Sequence, residues 1–152
     1  MKVFVILLFI FFSASAVQGI NMENIKQNLI ETVKHLAHDI GERSYHNVVK
    51  LNSAADYIEG KFRSYGCEVK RQPFEYLGNT YYNVSCEIRG AKNPKDGILV
   101  IGAHYDTVTE TSGADDNASG VAGLLELARI AVTKPFQRTV RFVAFSLEEP
   151  PT

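Results

Sequence analysis

His104 and Asp106 stand two residues apart, just after the apolar run Ile98 to Ile101 and the small residues Gly102 and Ala103 that end it. Asp115 and Asp116 follow inside Gly-Ala-Asp-Asp-Asn-Ala-Ser-Gly at 113–120, and Glu148-Glu149 close a second apolar run, Val140 to Leu147. Residues two apart in an extended segment point to the same side. A carboxylate so placed can accept the far N–H of the imidazole, fixing its tautomer and leaving the other nitrogen for a metal. Imidazole and oxygen ligands together favour zinc or a similar divalent ion, and carboxylates can bridge two such ions. Each piece alone has an ordinary explanation: aspartates cap helix N-termini, and paired glutamates after a strand often sit in a solvated loop. The gathering of five carboxylates at the ends of buried strands is what needs a reason, because unpaired charge there is costly.

The elements that must position these groups are readable from apolar spacing. Ile98 to Ile101 predicts a short strand buried on both faces. Asn117 to Val132 predicts a helix with Val121, Leu124, Leu125, Ala128 and Ala131 as its buried stripe, and Asp115, Asp116, Asn117 and Ser119 suit its start. Val140 to Leu147 predicts a second strand. Strand, helix, strand implies a right-handed crossover with the two strands parallel. Both strands then deliver their acidic residues to one sheet edge, where ligands collect in open α/β sheets.

Upstream, Ile25, Leu29, Val33, Leu36 and Ile40 predict a helix over 22–39 that ends at Gly41. Val48, Leu51, Ala55, Ile58, Phe62 and Tyr65 predict another over 47–65, stopped by Gly66. Cys67 to Phe74 reads as a strand whose Pro73 suits a sheet edge. Leu77-Gly78-Asn79 is turn chemistry, and Thr80 to Arg89 alternates as a half-buried antiparallel strand. The fold class is α/β, a mixed β-sheet with flanking helices. His35 and His38 lie on or near the first helix, and their spacing favours solvated or capping histidines over metal ligands.

Composition narrows the function classes. A chain of 152 residues, 45% hydrophobic and with net charge −1, suits one domain with an ample core and carries no mark of nucleic-acid binding. Lys2, the apolar run Val3 to Phe12 and Ser13-Ala14-Ser15-Ala16 describe a secretory signal peptide over residues 1–19, leaving 20–152 as the folded part. The run reaches only about half of the ~20 apolar residues a spanning helix needs, so no stable membrane insertion is expected after cleavage. A secreted location permits a bridge between Cys67 and Cys86, although two half-buried thiols fit the pattern equally. The sequons at Asn83 and Asn117 lie in a strand and at a helix start, which suits neither as a glycan acceptor.

Three stretches, Gly-Ala-His-Tyr-Asp-Thr at 102–107, Gly-Ala-Asp-Asp-Asn-Ala-Ser-Gly at 113–120 and Phe-Ser-Leu-Glu-Glu-Pro-Pro at 145–151, resemble the M28 family of zinc exopeptidases. The resemblance implies a three-layer α/β/α domain of the zinc-exopeptidase type that cleaves peptide substrates with a metal-activated water. It implies two zinc ions, with His104 a ligand of one, Asp116 bridging both and Glu149 a ligand of the other. Asp106 would orient His104, and Glu148 would be the general base. The choice of Asp116 over Asp115 comes from the resemblance alone.

Family members continue beyond the Glu-Glu pair and supply a further acidic ligand and a histidine. The chain is therefore expected to be the N-terminal part of one such domain, truncated and inactive by itself. The leading expectation is an aminopeptidase. The alternatives are a glutaminyl cyclase-like enzyme, which shares the fold, and a non-catalytic extracellular module.

Overall fold

The computed structural model describes residues 21–92 and 97–150. The signal peptide expected over 1–19 lies outside the described residues.

Helix α1, Met22–Lys34, starts at Asn21, whose Oδ1 accepts the N–H groups of Glu23 and Asn24 at 3.0 and 3.3 Å. That capping satisfies two of the donors a helix start leaves free. The helix runs on as a wider π-type turn, His35–Ile40, and stops at Gly41. Helix α2, Val48–Ser64, buries Leu51, Ala54, Ala55, Ile58 and Phe62.

Strands β1, Glu68–Tyr76, and β2, Asn79–Ile88, form an antiparallel hairpin with Tyr76 opposite Asn79. Its two-residue loop, Leu77-Gly78, takes positive φ at both positions (47° and 76°). This is the twist-matched turn that hairpins favour, and Gly78 adopts it without steric cost. At the other end, Cys67 and Cys86 form a disulfide. Cys67 directly precedes β1 and Cys86 pairs with Val69, so the bridge crosses the two strands where the hairpin opens.

Strand β3, Leu99–His104, and strand β4, Val140–Phe145, are joined through helix α3, Gly120–Ala131. They are parallel, as the crossover argument requires, while β1–β2 and β2–β4 are antiparallel. The sheet order is β1-β2-β4-β3, so the architecture is the expected mixed α/β sheet with flanking helices, and the Pro73 strand is an edge. The core joins Val84, Cys86, Phe142 and Ala144 of the sheet to Leu51, Ile58 and Phe62 of α2 and Val121, Leu124 and Leu125 of α3. Truncating a side chain such as Phe142, 1% exposed, would cost about 3–5 kcal/mol.

Two expectations are corrected here. The Ile98–Ile101 run does not become a strand buried on both faces: Leu99 and Val100 are 53% and 50% exposed. Among the described residues β3 pairs only with β4, so one edge of it faces solvent. Helix α3 also begins later than Asn117. Residues 114–119 form a π-type turn in which Asp116 and Asn117 leave helical φ/ψ, and the Asn117 side chain instead accepts the Gly120 N–H at 3.0 Å. Asn117 thus acts as a cap, while Asp116 before it leaves helical geometry and reaches the sheet edge at His104.

Candidate metal centre

His104 ends β3 and registers with Phe145, which ends β4. One more ladder bond, Tyr105 N–H to the Phe145 carbonyl at 2.9 Å, carries the pairing past the strands. The two chains then separate into the loops that hold Asp106 and the Glu148-Glu149 pair. The parallel pairing is what brings residues 43 positions apart into contact: Asp106 Oδ2 accepts the Glu149 N–H at 2.9 Å.

Asp106 is 1% exposed. Its Oδ1 lies 3.5 Å from His104 Nδ1, and both atoms are buried with no hydrogen-bond partner among the described residues. The other imidazole nitrogen, Nε2, faces Asp116 Oδ1 at 3.0 Å and Glu148 Oε2 at 3.7 Å. His104, Glu148 and Glu149 each offer a ligand atom, and these atoms lie within 4.8 Å of one another. Four of the five acidic residues singled out in the sequence therefore meet around one imidazole. Asp115 is exposed, and its carbonyl accepts the Ser119 hydroxyl at 2.7 Å.

The electrostatics of this cluster are lopsided. Burial pushes the Glu149 carboxyl upward; the Asp116 charge adds to this, His104 opposes it, and Asp106 and Glu148 add further. Two carboxylates against one imidazole nitrogen, with more anions behind, is an arrangement that a cation relieves. The donor set, one imidazole and several carboxylate oxygens, suits zinc. The residues present fit a metal ion on both counts.

His35 and His38 are not brought to this place. Each pairs with Asp39, at 3.2 and 3.0 Å, and His35 also packs over the Tyr57 ring. Beside Glu149, Tyr45, Phe74, Tyr76 and Leu147 line a cavity of about 300 Å³. Leu147 directly precedes Glu148 and holds a positive φ of 59°, a conformation that costs a branched residue on the order of 1–3 kcal/mol unless its surroundings fix it.

Sequence reasoning missed Arg43. It is fully buried, and its guanidinium donates to the carbonyls of Leu36, Gly41, Tyr105, Ser112 and Gly113 at 2.6–3.1 Å. Nothing in the sequence marks it, because every partner is backbone. Gly113, at φ +55°, leaves room for this: a Cβ there would lie 2.2 Å from Thr107 Cγ2 and 2.8 Å from Arg43 Nη2.

The fold and site define an α/β protein with an imidazole–carboxylate cluster at the carboxyl ends of two parallel strands. Residues 83–151, a little under half of the chain, match the model of peptidase family M28. It is 41% identical to the uncharacterised protein YfbL of Escherichia coli over 133 residues, which is 82% of this chain and 40% of that protein. Aminopeptidase YwaD of Bacillus subtilis is 42% identical over 69 residues, 43% of this chain and 15% of that one. The chain therefore spans less than half the length of these relatives. Among solved structures, a zinc aminopeptidase of Bacillus subtilis superposes with a TM-score of 0.73 at 14% identity, covering 80% of this chain and 61% of that one. A glutaminyl cyclase of Porphyromonas gingivalis superposes with a TM-score of 0.67 at 26% identity, covering 79% and 44%.

Proposed function

We propose that the whole protein is a secreted zinc-dependent exopeptidase of the aminopeptidase type, acting on peptide substrates with two zinc ions. The observation that carries this reading is the meeting of Asp116, Glu148 and Glu149 around His104, with buried Asp106 behind it. His104, Asp116 and Glu149 would hold zinc, with Asp116 shared between the ions. When bound, zinc supplies Lewis-acid polarisation of the scissile carbonyl and acidifies the attacking water.

The chain's own residues then divide the work. The Asp106 carboxylate stands 3.5 Å from His104 Nδ1, placed to orient the imidazole so that Nε2 faces the cluster. The Glu148 side chain is 61% exposed, so it can reach both solvent and substrate. It takes a proton from the attacking water at its carboxylate and passes it to the departing amine. The Cys67–Cys86 disulfide supports an oxidising compartment, in line with the signal peptide read from the sequence. N-terminal sequencing of secreted material should begin at Val17 or within a few residues of it, and retention of Met1 in a membrane fraction would contradict secretion.

A second reading, glutaminyl cyclase, is supported by the 26% identity to the Porphyromonas gingivalis enzyme. The adjacent Asp116-Asn117 and Glu148-Glu149 pairs favour the two-zinc peptidase. An assay of the whole protein decides between them. Metal-dependent release of an amino-terminal residue supports the peptidase, closure of an amino-terminal glutamine to a lactam supports the cyclase, and neither activity supports a non-catalytic module.

A further inference from the structure

Arg43 reaches three separate pieces of chain at once. Its Nη1 donates to Leu36 and Gly41, at the end of the first helix, at 2.7 and 2.6 Å. Its Nε donates to Tyr105, the residue between His104 and Asp106, at 2.8 Å. Nη1 and Nη2 donate to Ser112 and Gly113, which lead into Asp115-Asp116, at 2.9 and 3.1 Å. The backbone joins in: Arg43 N–H donates to Thr107 Oγ1 at 3.0 Å, and Thr107 N–H returns to the Arg43 carbonyl at 3.3 Å.

A planar fork of five donors is the only side chain that can span such a ring of carbonyls, and a lysine would serve fewer of them from one point. The charge carries a cost, since burial pulls the guanidinium down to about 10, against the opposing influence of the Asp106 carboxylate, and it stays protonated at neutral pH. Among the described residues no carboxylate is in direct contact with this guanidinium, and a buried cation so placed is an expensive way to tie loops together. Neutral packing would hold a loop at lower cost. What the guanidinium adds is a fixed geometry between the two loops that present His104 and Asp106 on one side and Asp116 on the other.

We infer that Arg43 is a positioning residue for the metal centre, setting the distance between the His104–Asp106 segment and Asp116. The inference rests on the proposed zinc site. Residues that orient ligands from behind typically change metal affinity by about 10- to 100-fold when altered. Arg43→Lys should therefore weaken zinc binding by about that factor while the far-ultraviolet spectrum stays native. Arg141→Lys is the control, because Arg141 pairs with Glu87 in the sheet at 2.5 Å and touches none of the ligands. It should leave zinc affinity unchanged.

The test measures zinc affinity of the whole protein by competition with a chelator, together with thermal unfolding. In Arg43→Ala, guanidinium at about 10 mM, far below denaturing concentration, should restore part of the lost affinity, and methylammonium should not. Arg43→Lys with a lowered melting temperature but wild-type zinc affinity would overturn the inference, leaving Arg43 a purely structural residue. So would failure of both variants to fold with and without guanidinium. Absence of zinc binding by the wild-type protein would instead overturn the metal-site reading itself, and this inference with it.

Discussion

The Asp106 carboxylate accepts the backbone N–H of Glu149 at 2.9 Å while its second oxygen lies 3.5 Å from His104 Nδ1. One buried side chain thus holds the acidic loop at the end of β4 and lies against the imidazole at the end of β3. Asp106→Asn preserves size but removes the charge that favours a donating Nδ1–H. It should weaken zinc binding by about 10- to 100-fold with the fold intact, as measured by chelator competition and circular dichroism.

Glu148 and Asp116 should fail in different ways. Glu148→Gln in the whole protein should keep its zinc but lower kcat by at least ~10²-fold, the scale of losing a general acid–base. Asp116→Ala should lose metal, because one carboxylate serves both ions. Zinc content by atomic absorption alongside kcat separates the two. Zinc loss in Glu148→Gln with full retention in Asp116→Ala would reverse the assigned roles.

Much of this arrangement was legible in the chain. The i, i+2 spacing of His104 and Asp106 placed both on one side of an extended segment, and the strand–helix–strand order made β3 and β4 parallel. The sheet order was not legible, because alternation in Thr80 to Arg89 shows a half-buried strand without naming its neighbour. β2 inserts beside β4 through Val84 opposite Ala144 and Cys86 opposite Phe142, leaving β3 as an edge. The disulfide depended on register, which a sequence pattern fixes only to within the pairing of two strands. Arg43 was invisible because carbonyl oxygens carry no residue signature.

The disulfide closes a loop across a sequence separation of 19. Constraining the unfolded chain over such a length stabilises the fold by about 3 kcal/mol on the loop-entropy account. Cys67→Ala/Cys86→Ala should lower unfolding stability in urea by roughly that amount. An unchanged midpoint would show that the bridge contributes nothing to stability.

Glu126 joins α1 to α3, accepting from Asn28 at 3.1 Å and from Arg129 at 2.9 and 2.6 Å. The Arg129 hydrogen bonds hold its carboxyl below the usual range; burial opposes this and Asn28 assists. A depressed carboxylate contributes stability that is present above its unfolded pKa and is lost as pH falls through the folded value. Glu126→Gln should therefore destabilise the protein by about 1–3 kcal/mol at pH 7. The gap to wild type should close as pH falls below roughly 4, near the ordinary glutamate value. Denaturant titrations at both pH values check it, and a gap that widens in acid would contradict the assignment.

Zinc at the ends of β3 and β4 would be visible by anomalous diffraction at the zinc edge from crystals of the whole protein. Strong anomalous density is expected within bonding distance of His104 Nε2 and of the Asp116 and Glu149 carboxylates, at about 2.0–2.2 Å. Density absent there, or placed instead at His35 and His38, would contradict zinc binding at these strand ends.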